Sequence, residues 1–200
     1  MREYDRAEKE IIEQMKAQPD DYTMLVTLGN VQERVGHYED AQASYQQAID
    51  KLPARMDAIT RLGNAFLSQA KYDEAIQTYE KGEVLMGKAG SFSYQLADLY
   101  KRNGNIPKMI EQYLYNLQAN PDRIENIQNM LQKSLQQEDY TELLTQLYVF
   151  VQEYPETDYF PEMIAWTFMQ QKDYSKAMRQ AKALDKRLSE NGLRVYRLSQ

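Results

Sequence analysis

The sequence predicts an all-α protein, built as a solenoid of antiparallel helix hairpins. The first observation behind this prediction is a proline line with a spacing of 34 residues, in which Gly87 takes the one missing place. Its prolines are Pro19, Pro53, Pro121 and Pro155. The second observation is a tyrosine line with the same spacing, in which Ile106 fills the gap. Its tyrosines are Tyr4, Tyr38, Tyr72, Tyr140 and Tyr174. A repeat of this length is typical of stacked helix hairpins, in which each hairpin contacts mainly its neighbours.

Each 34-residue unit contains the pattern of two helices, as the unit that starts at Tyr22 illustrates. The first helix has one stripe of packing residues: Leu25, Leu28, Gly29 and Gln32. Gly36 and His37 interrupt this pattern, and a second helix is predicted from about Tyr38. The stripe of the second helix consists of Ala41, Tyr45, Ala48 and Ile49. Pro53 ends the unit, since proline is common just beyond a helix C-terminus.

Small residues occupy positions 8, 20 and 27 of the first two units, where the two helices of a hairpin need close backbone approach. The fourth unit has larger residues at all three positions: Leu131, Leu143 and Phe150. Overpacking such a crossing costs about 1–3 kcal/mol unless the helices separate. We therefore predict wider or rotated packing in the fourth unit.

The run of residues from Leu25 to Pro53 resembles a tetratricopeptide repeat. Five such units fit the chain without an insertion: 22–55, 56–89, 90–123, 124–157 and 158–191. Residues 1–21 resemble the second helix of an earlier unit, and residues 192–200 resemble the start of a further or capping helix. The resemblance implies a single array over residues 1–200, wound as a right-handed superhelix. Since both ends fall part-way through a unit, we expect the chain to be a fragment of a longer array.

The residue inventory argues against an enzyme. The chain has no cysteine and one histidine, His37, which falls at a predicted turn. Thiolate nucleophiles, cysteine–metal sites and multi-histidine metal sites are therefore excluded. The sequence also contains no glycine-rich phosphate-binding loop. We predict that the protein is not an enzyme and has no catalytic residue, metal site or cofactor.

The net charge of −6 argues against a nucleic-acid backbone as the main partner. The charge is uneven, because residues 172–200 contain eight basic and three acidic residues, whereas the first 171 residues carry −11. We interpret the basic end as a solvated helix face, with docking to an acidic partner as the alternative. No stretch approaches the ~20 apolar residues of a membrane span, so direct membrane insertion is not expected. The compartment stays open between a bacterial cytoplasm and a periplasm.

The tyrosine line has two interpretations. Its rings could form a stacking ladder for nucleic-acid bases or sugars. The resemblance instead implies that each of these tyrosines begins a second helix and packs inward, and we favour this second interpretation.

Positions 2, 5, 9, 12 and 13 of each unit lie opposite the packed stripe of the first helix. In the family that the chain resembles, such positions line a concave groove that holds extended peptides or partner helices. The predicted binding residues on these positions are Asn30, Arg34, Asn64, Tyr94, Asp98, Lys101, Arg102, Gln128, Gln132, Tyr159, Trp166 and Met169.

Asn30 and Asn64 can each offer an amide donor and acceptor to a peptide backbone. This resembles part of the grip that some family members place on a C-terminal carboxylate. That grip also needs lysines and an arginine, and the chain has Val26, Ser91 and Gln95 at groove positions of this kind. We therefore do not expect a carboxylate clamp.

Trp166, the single tryptophan, lies on the predicted groove with Tyr159 and Met169. Because buried aromatic residues dominate the energetics of protein interfaces, Trp166 is a candidate contact with a partner. The alternative is that Trp166 packs beneath a following helix, either in residues 192–200 or beyond them. The sequence does not separate these two possibilities.

The function that these observations favour is a non-enzymatic scaffold that binds a peptide or a partner protein in the concave groove. The alternative is a structural spacer or a self-associating adaptor segment of a larger protein, which could carry a membrane anchor or a catalytic part. The sequence does not identify the partner.

Overall fold

The computed structural model describes residues 2–19 and 21–198 of the chain. These residues form twelve α-helices and one short 3-10 helix at Pro121–Arg123, and they contain no strand, so the all-α prediction is confirmed. The helices are α1 (Arg2–Ala17), α2 (Thr23–Arg34), α3 (Tyr38–Asp50), α4 (Met56–Ser68), α5 (Tyr72–Met86), α6 (Ser93–Arg102), α7 (Ile106–Ala119), α8 (Ile124–Ser134), α9 (Asp139–Glu153), α10 (Tyr159–Gln170), α11 (Tyr174–Leu188) and α12 (Leu193–Leu198). Residues 1, 20, 199 and 200, which belong to the first and last predicted segments, lie outside the described residues.

The starts of the second helices follow the 34-residue grid. The helices α3, α5 and α11 begin at Tyr38, Tyr72 and Tyr174, and α7 begins at Ile106. At equivalent places just before α7 and α11, Asn105 and Asp173 cap the helix with a side-chain oxygen. These oxygens accept hydrogen bonds from the backbone N–H groups of Lys108 (3.2 Å) and Lys176 (3.0 Å). Such caps satisfy a donor that the first turn of a helix leaves unpaired.

The chain divides into two compact units, Met1–Asn103 (unit 1) and Gly104–Gln200 (unit 2). In unit 1, α2 pairs with α3 and α4 pairs with α5, while α2 lies beside α4 and α3 lies beside α5. The helix α1 packs on α2, and α6 packs on α5. Unit 1 is therefore a stack of helix hairpins, as the grid predicts.

Two glycines allow the hairpins of unit 1 to close. A Cβ atom on Gly63 would lie 2.5 Å from Cζ of Tyr79, and a Cβ atom on Gly29 would collide in the same way with the ring of Tyr45. Both tyrosines are buried. The small residue at position 8 is thus required by the large ring that lies across it on the second helix.

In unit 2, α10 packs closely on both α9 and α11, α11 packs on α12, and α7 packs on α8 and α9. The backbones of α8 and α9 approach each other much less closely than those of α10 and α11. The enlarged residues Leu131, Leu143 and Phe150 are all buried. The helices α8 and α9 are therefore packed less closely than α10 and α11, in agreement with the wider or rotated packing that we predicted for the fourth repeat.

The inward packing predicted for the tyrosine line is wrong for three of its members. Tyr38 is 65% exposed, Tyr174 is 60% exposed and Tyr4 is 39% exposed, whereas Tyr140 is buried. The side chain at the start of a helix points back beyond the N-terminus of that helix, so it extends past the region where the two helices cross.

Across the part of the chain that the structure describes, none of the helices combines the length and apolar character needed to span a membrane.

Candidate binding surfaces

The twelve predicted binding residues lie on the first helices of the hairpins, and every one of them is at least partly exposed. Those of unit 1 form what we call surface 1: Asn30, Arg34, Asn64, Tyr94, Asp98, Lys101 and Arg102. Those of unit 2 form surface 2: Gln128, Gln132, Tyr159, Trp166 and Met169. Their role in binding remains a prediction.

The amide group of Asn30 is already used within unit 1. Its nitrogen donates to Oε1 of Gln69, and its oxygen accepts a hydrogen bond of 3.1 Å from Nε of Arg34. In Asn64 the oxygen accepts a hydrogen bond of 3.3 Å from the Tyr79 hydroxyl. A peptide backbone would therefore compete with internal partners at Asn30 more than at Asn64.

On α6, surface 1 carries an ion pair and an exposed ring. Nε of Arg102 lies 2.8 Å from Oδ2 of Asp98, and this hydrogen bond and charge raise the pKa of Arg102. Both side chains are about half exposed, so the pair contributes little to stability. Tyr94 is 49% exposed and Lys101 is also exposed.

Beside Asn64, unit 1 contains an open depression of about 830 Å³, which we call the α4 depression. Its lining residues are Ala54, Arg55, Met56, Asp57, Thr60, Arg61, Asn64 and Met86. Met56 is 48% exposed and Met86 is 37% exposed. Asp57 is shared by two arginines, at 2.7 Å from Nη2 of Arg55 and 3.0 Å from Nη2 of Arg61, and the hydrogen bond from Arg55 lowers the pKa of Asp57.

Among these lining residues, Asp57, Thr60 and Asn64 lie at the predicted groove positions 2, 5 and 9, and only Asn64 was among the predicted binding residues. Met86 lies at the end of α5, a second helix, whereas we sought binding residues only on first helices. Met56 occupies position 1, next to the positions that we considered. The spacing between Met56 and Met86 is four residues shorter than the repeat, so the 34-residue period could not have identified this pair.

Two residues at predicted groove positions are buried, Val26 and Leu135. Leu135, at position 12 of the repeat 124–157, is 7% exposed. Val26, at position 5 of the repeat 22–55, is only 2% exposed. The helix α1 packs on α2, so this side of α2 belongs to the core of unit 1.

In unit 2, α10 is buried on most of its circumference. Its buried residues are Phe160, Met163, Ile164, Ala165, Thr167 and Phe168. The residues Tyr159, Glu162, Trp166 and Met169 instead follow one stripe and remain partly exposed. The helix α8, which lies beside α10, adds Gln128 and Gln132.

Trp166 is held by an aromatic contact with the preceding helix. Its ring centre lies 6.2 Å from that of Tyr140 at an interplanar angle of 62°. The helix α12 approaches α10 at a different residue, since Nη1 of Arg194 pairs with Glu162. Partial exposure of Trp166 is compatible with a partner contact, which is one of the two possibilities that the sequence left open.

A carboxylate precedes each of two tyrosines of this region in the sequence: Asp139 before Tyr140 and Asp158 before Tyr159. Burial raises the pKa of Tyr140, and the charge of Asp139 adds to the effect. Burial likewise raises the pKa of Tyr159, and Asp158 is the next cause. These two aspartates are therefore close enough to their neighbouring phenols to act on them electrostatically.

The described residues contain no group of three or more His, Cys, Asp or Glu side chains that could hold a metal ion. The imidazole of His37 is 59% exposed, and its Nδ1 lies 3.9 Å from Oδ2 of Asp40.

Comparison with known proteins gave one family match, since residues 26–85 match a model described as tetratricopeptide repeat. Comparison with curated protein sequences gave no match. Among solved structures, a tetratricopeptide repeat protein from Parabacteroides merdae is 18% identical, with a TM-score of 0.40 over 92% of this chain and 73% of that chain. YrrB, described as a TPR protein with an unusual peptide-binding site, is 16% identical, with a TM-score of 0.40 over 95% of this chain and 98% of that chain.

A third solved structure, the TPR2AB domain of yeast Sti1 in complex with pHSP90, is 16% identical, with a TM-score of 0.35 over 100% of this chain and 90% of that chain. The family match falls on the two hairpins α2–α3 and α4–α5. The same 34-residue pattern places the starts of α7 and α11. Residues 26–85 of the chain are thus matched to the tetratricopeptide repeat family.

Proposed function

We propose that this chain is a non-enzymatic scaffold that holds a peptide or a partner protein against the first helices of its hairpins. The observation that carries the proposal is the α4 depression, a shallow and open region on unit 1 in which exposed methionines lie beside polar side chains. It combines exposed apolar groups with hydrogen-bonding groups, as the core of a protein interface does.

The apolar part of the α4 depression consists of Met56 and Met86, which both remain accessible to solvent. Methionine side chains are flexible and polarisable, so they adapt to partner side chains of different shape. The polar part includes Thr60 and Asn64, whose hydroxyl and amide groups can bond to a peptide backbone. A mixed lining of this kind suits an extended segment of protein.

The same lining is poorly suited to catalysis. It contains no histidine, serine, cysteine or lysine, and its one carboxylate, Asp57, is already paired with Arg55 and Arg61. A catalytic site needs a nucleophile or a general base within reach of a reacting group. We therefore propose binding without a chemical step. The net charge of −6 favours a protein over a nucleic acid as the partner.

The test is a peptide-display selection on the immobilised protein, followed by calorimetric titration of the selected peptides. Met86→Glu places a charge in the α4 depression and should weaken binding at least tenfold, which corresponds to about 1.4 kcal/mol. Val84→Glu is the matched control, because Val84 lies two residues away on α5, is 80% exposed and does not line the depression. Equal effects of the two variants, or no effect of Met86→Glu, would contradict the proposed site.

Light scattering over a concentration series tests the alternative of a self-associating segment. A monomer that still binds the selected peptides would support the scaffold. Concentration-dependent association that Met86→Glu abolishes would instead show that the α4 depression binds a second copy.

A further inference from the structure

We propose that surface 2 binds a basic, extended segment of another protein, with lysine or arginine side chains placed against Trp166 and the carboxylates around it. This inference rests on the proposed function, because it assigns a partner chemistry to the first helices of unit 2. It concerns a surface distinct from the α4 depression, so the two can be tested separately.

The aromatic part of the site is well positioned. Trp166 is partly exposed, while the opposite faces of α10 are packed against α9 and α11. Its edge-to-face contact with Tyr140 further restricts the ring. Among the aromatic side chains, tryptophan attracts a cation that lies over its ring most strongly. A rigid, partly exposed indole is therefore a suitable platform for a cationic side chain.

The charged part of the site is acidic. Asp139 directly precedes Tyr140, whose ring contacts Trp166. Asp158 directly precedes Tyr159 at the start of α10. Glu125 is exposed at the start of α8, which lies beside α10. The sequence of α8 contains a single basic residue, Lys133. Since Lys133 balances Glu125 on α8, the excess of negative charge near surface 2 comes from Asp139 and Asp158.

The structure already shows an arginine held at this stripe. The guanidinium of Arg194 pairs with Glu162 of α10 and also with Glu190, at 2.8 Å from its Oε2 atom. Its side chain is only 19% exposed, whereas that of Glu162 is 42% exposed. The stripe can therefore hold a largely desolvated guanidinium, and part of Glu162 remains open to a second cation.

The part of unit 2 that precedes residue 172 is acidic, whereas residues 172–200 are basic and offset most of this charge. Residues 104–171 contain ten acidic and three basic residues, a net charge of −7, and one of these bases, Lys108, is paired with Glu111. Surface 1 has the opposite character, since it includes Arg34, Lys101 and Arg102. Over their full lengths, unit 2 carries a net charge of −2 and unit 1 carries −4. The expected preference of a basic segment for surface 2 therefore depends on the local charges of the two surfaces and not on the net charge of the units.

The single tryptophan provides the measurement. The probes are the synthetic peptides acetyl-Lys-Leu-Lys-Leu-Lys-amide and acetyl-Glu-Leu-Glu-Leu-Glu-amide, titrated into the protein at low ionic strength while the emission of Trp166 is recorded. We expect a saturable change in emission with the basic probe and none with the acidic probe. Raising the salt concentration from roughly 0.05 M to 0.5 M should lower the affinity for the basic probe, because salt screens exposed charges.

Substitutions separate the site from the general charge of the protein. The double variant Glu125→Gln/Asp158→Asn should bind the basic probe roughly fivefold more weakly. Asparagine is as good as aspartate at a helix N-cap, so Asp158→Asn preserves the start of α10. The matched control Glu13→Gln/Glu39→Gln makes the same change of charge at exposed residues of unit 1 and should leave the affinity unchanged. Thermal melts by circular dichroism verify that all variants fold.

Each contrary outcome has a distinct meaning. Equal responses to both probes, or an unchanged affinity in the Glu125→Gln/Asp158→Asn variant, would overturn the basic-segment proposal. A response to the acidic probe alone would overturn it as well, although it would leave surface 2 as a binding surface and the scaffold function intact. Salt-sensitive dimerisation that changes Trp166 emission without any probe would identify a second copy as the occupant and would also overturn the proposal.

Discussion

Lys71 joins the first two hairpins of unit 1 through Glu33. The ammonium group of Lys71, just before α5, lies 2.6 Å from the Glu33 carboxylate on α2. It also lies 5.2 Å from the ring centre of Tyr45 on α3, and the Tyr45 hydroxyl donates a 3.3 Å hydrogen bond to Glu33. The side chains of Lys71 and Glu33 are only 20% and 33% exposed. The ion pair is therefore partly shielded from solvent, unlike most surface pairs.

Lys71→Ala should lower the free energy of unfolding by about 1–2 kcal/mol, because it removes a charge-assisted hydrogen bond and leaves Glu33 with one partner fewer. Urea denaturation measures the loss. The control is Arg6→Ala, which breaks the Arg6–Glu10 pair on α1, whose side chains are 82% and 59% exposed. The free energy of unfolding of that variant should fall by less than about 0.5 kcal/mol. Equal losses would mean that Lys71 does not hold the hairpins together.

Gly63→Ala tests the close approach of α4 and α5. Alanine is normally favoured over glycine within a helix by about 0.8–1 kcal/mol. Here the new methyl group would lie 2.5 Å from Cζ of the buried Tyr79 ring, so we expect a net destabilisation of about 1–3 kcal/mol instead. Urea denaturation shows whether Gly63→Ala lowers or raises the free energy of unfolding. Ser68→Ala, at an exposed residue of the same helix, should not destabilise the protein, and a stabilising effect of Gly63→Ala would disprove the steric explanation.

The 34-residue grid predicts the helix starts and the small crossing residues because both depend on contacts within one unit or with its direct neighbour. Other features depend on contacts that the grid does not encode. Val26 is buried because α1 packs on α2, and Asn30 is occupied by Gln69, which lies 39 residues further along the chain. Met86 lines the α4 depression from the end of a second helix. Position in the repeat thus predicts the backbone better than it predicts which side chains are available to a partner.

Leu143→Ala distinguishes repeat four from its neighbours. Position 20 is alanine in the first two repeats, as at Ala41, so the repeat pattern alone would suggest that alanine improves the packing of α8 and α9. Leu143 is fully buried, on a helix that does not approach α8 closely. Removing it should leave a cavity and cost about 2–5 kcal/mol, measured by urea denaturation.

The control for Leu143→Ala is Leu85→Ala. Because Leu85 is 37% exposed, its replacement should lower the free energy of unfolding much less. An unchanged or increased stability of Leu143→Ala would show that the helices of repeat four can close as those of repeats one and two do.

The stability of unit 1 should fall at high pH through Tyr45. Burial, and then the charge of Glu33, raises the pKa of this phenol. Above a pH of about 10 the unfolded chain releases the Tyr45 proton while the folded protein retains it. The unfolded state then binds fewer protons, so the stabilisation that is complete below that pH is lost as the pH rises further.

Tyr45→Phe should therefore reduce the steepness with which the unfolding free energy declines between about pH 10 and 11. Urea denaturation at a series of pH values measures this slope. Tyr38→Phe, at a ring that is 65% exposed, is the control and should leave the slope unchanged. Identical slopes for Tyr45→Phe and the wild-type protein would show that this phenol is not the group responsible.

Arg194→Gln tests whether the ion pair between Arg194 and Glu162 of α10 limits the binding of a basic segment. Arg194 neutralises Glu162, so its replacement adds one uncompensated carboxylate beside Trp166. We expect the basic probe to bind roughly two- to fivefold more tightly. Arg179→Gln, at an exposed residue of α11, changes the net charge equally and should have a smaller effect. Weaker binding in Arg194→Gln would instead indicate that α12, which this arginine anchors to α10, forms part of the binding surface itself.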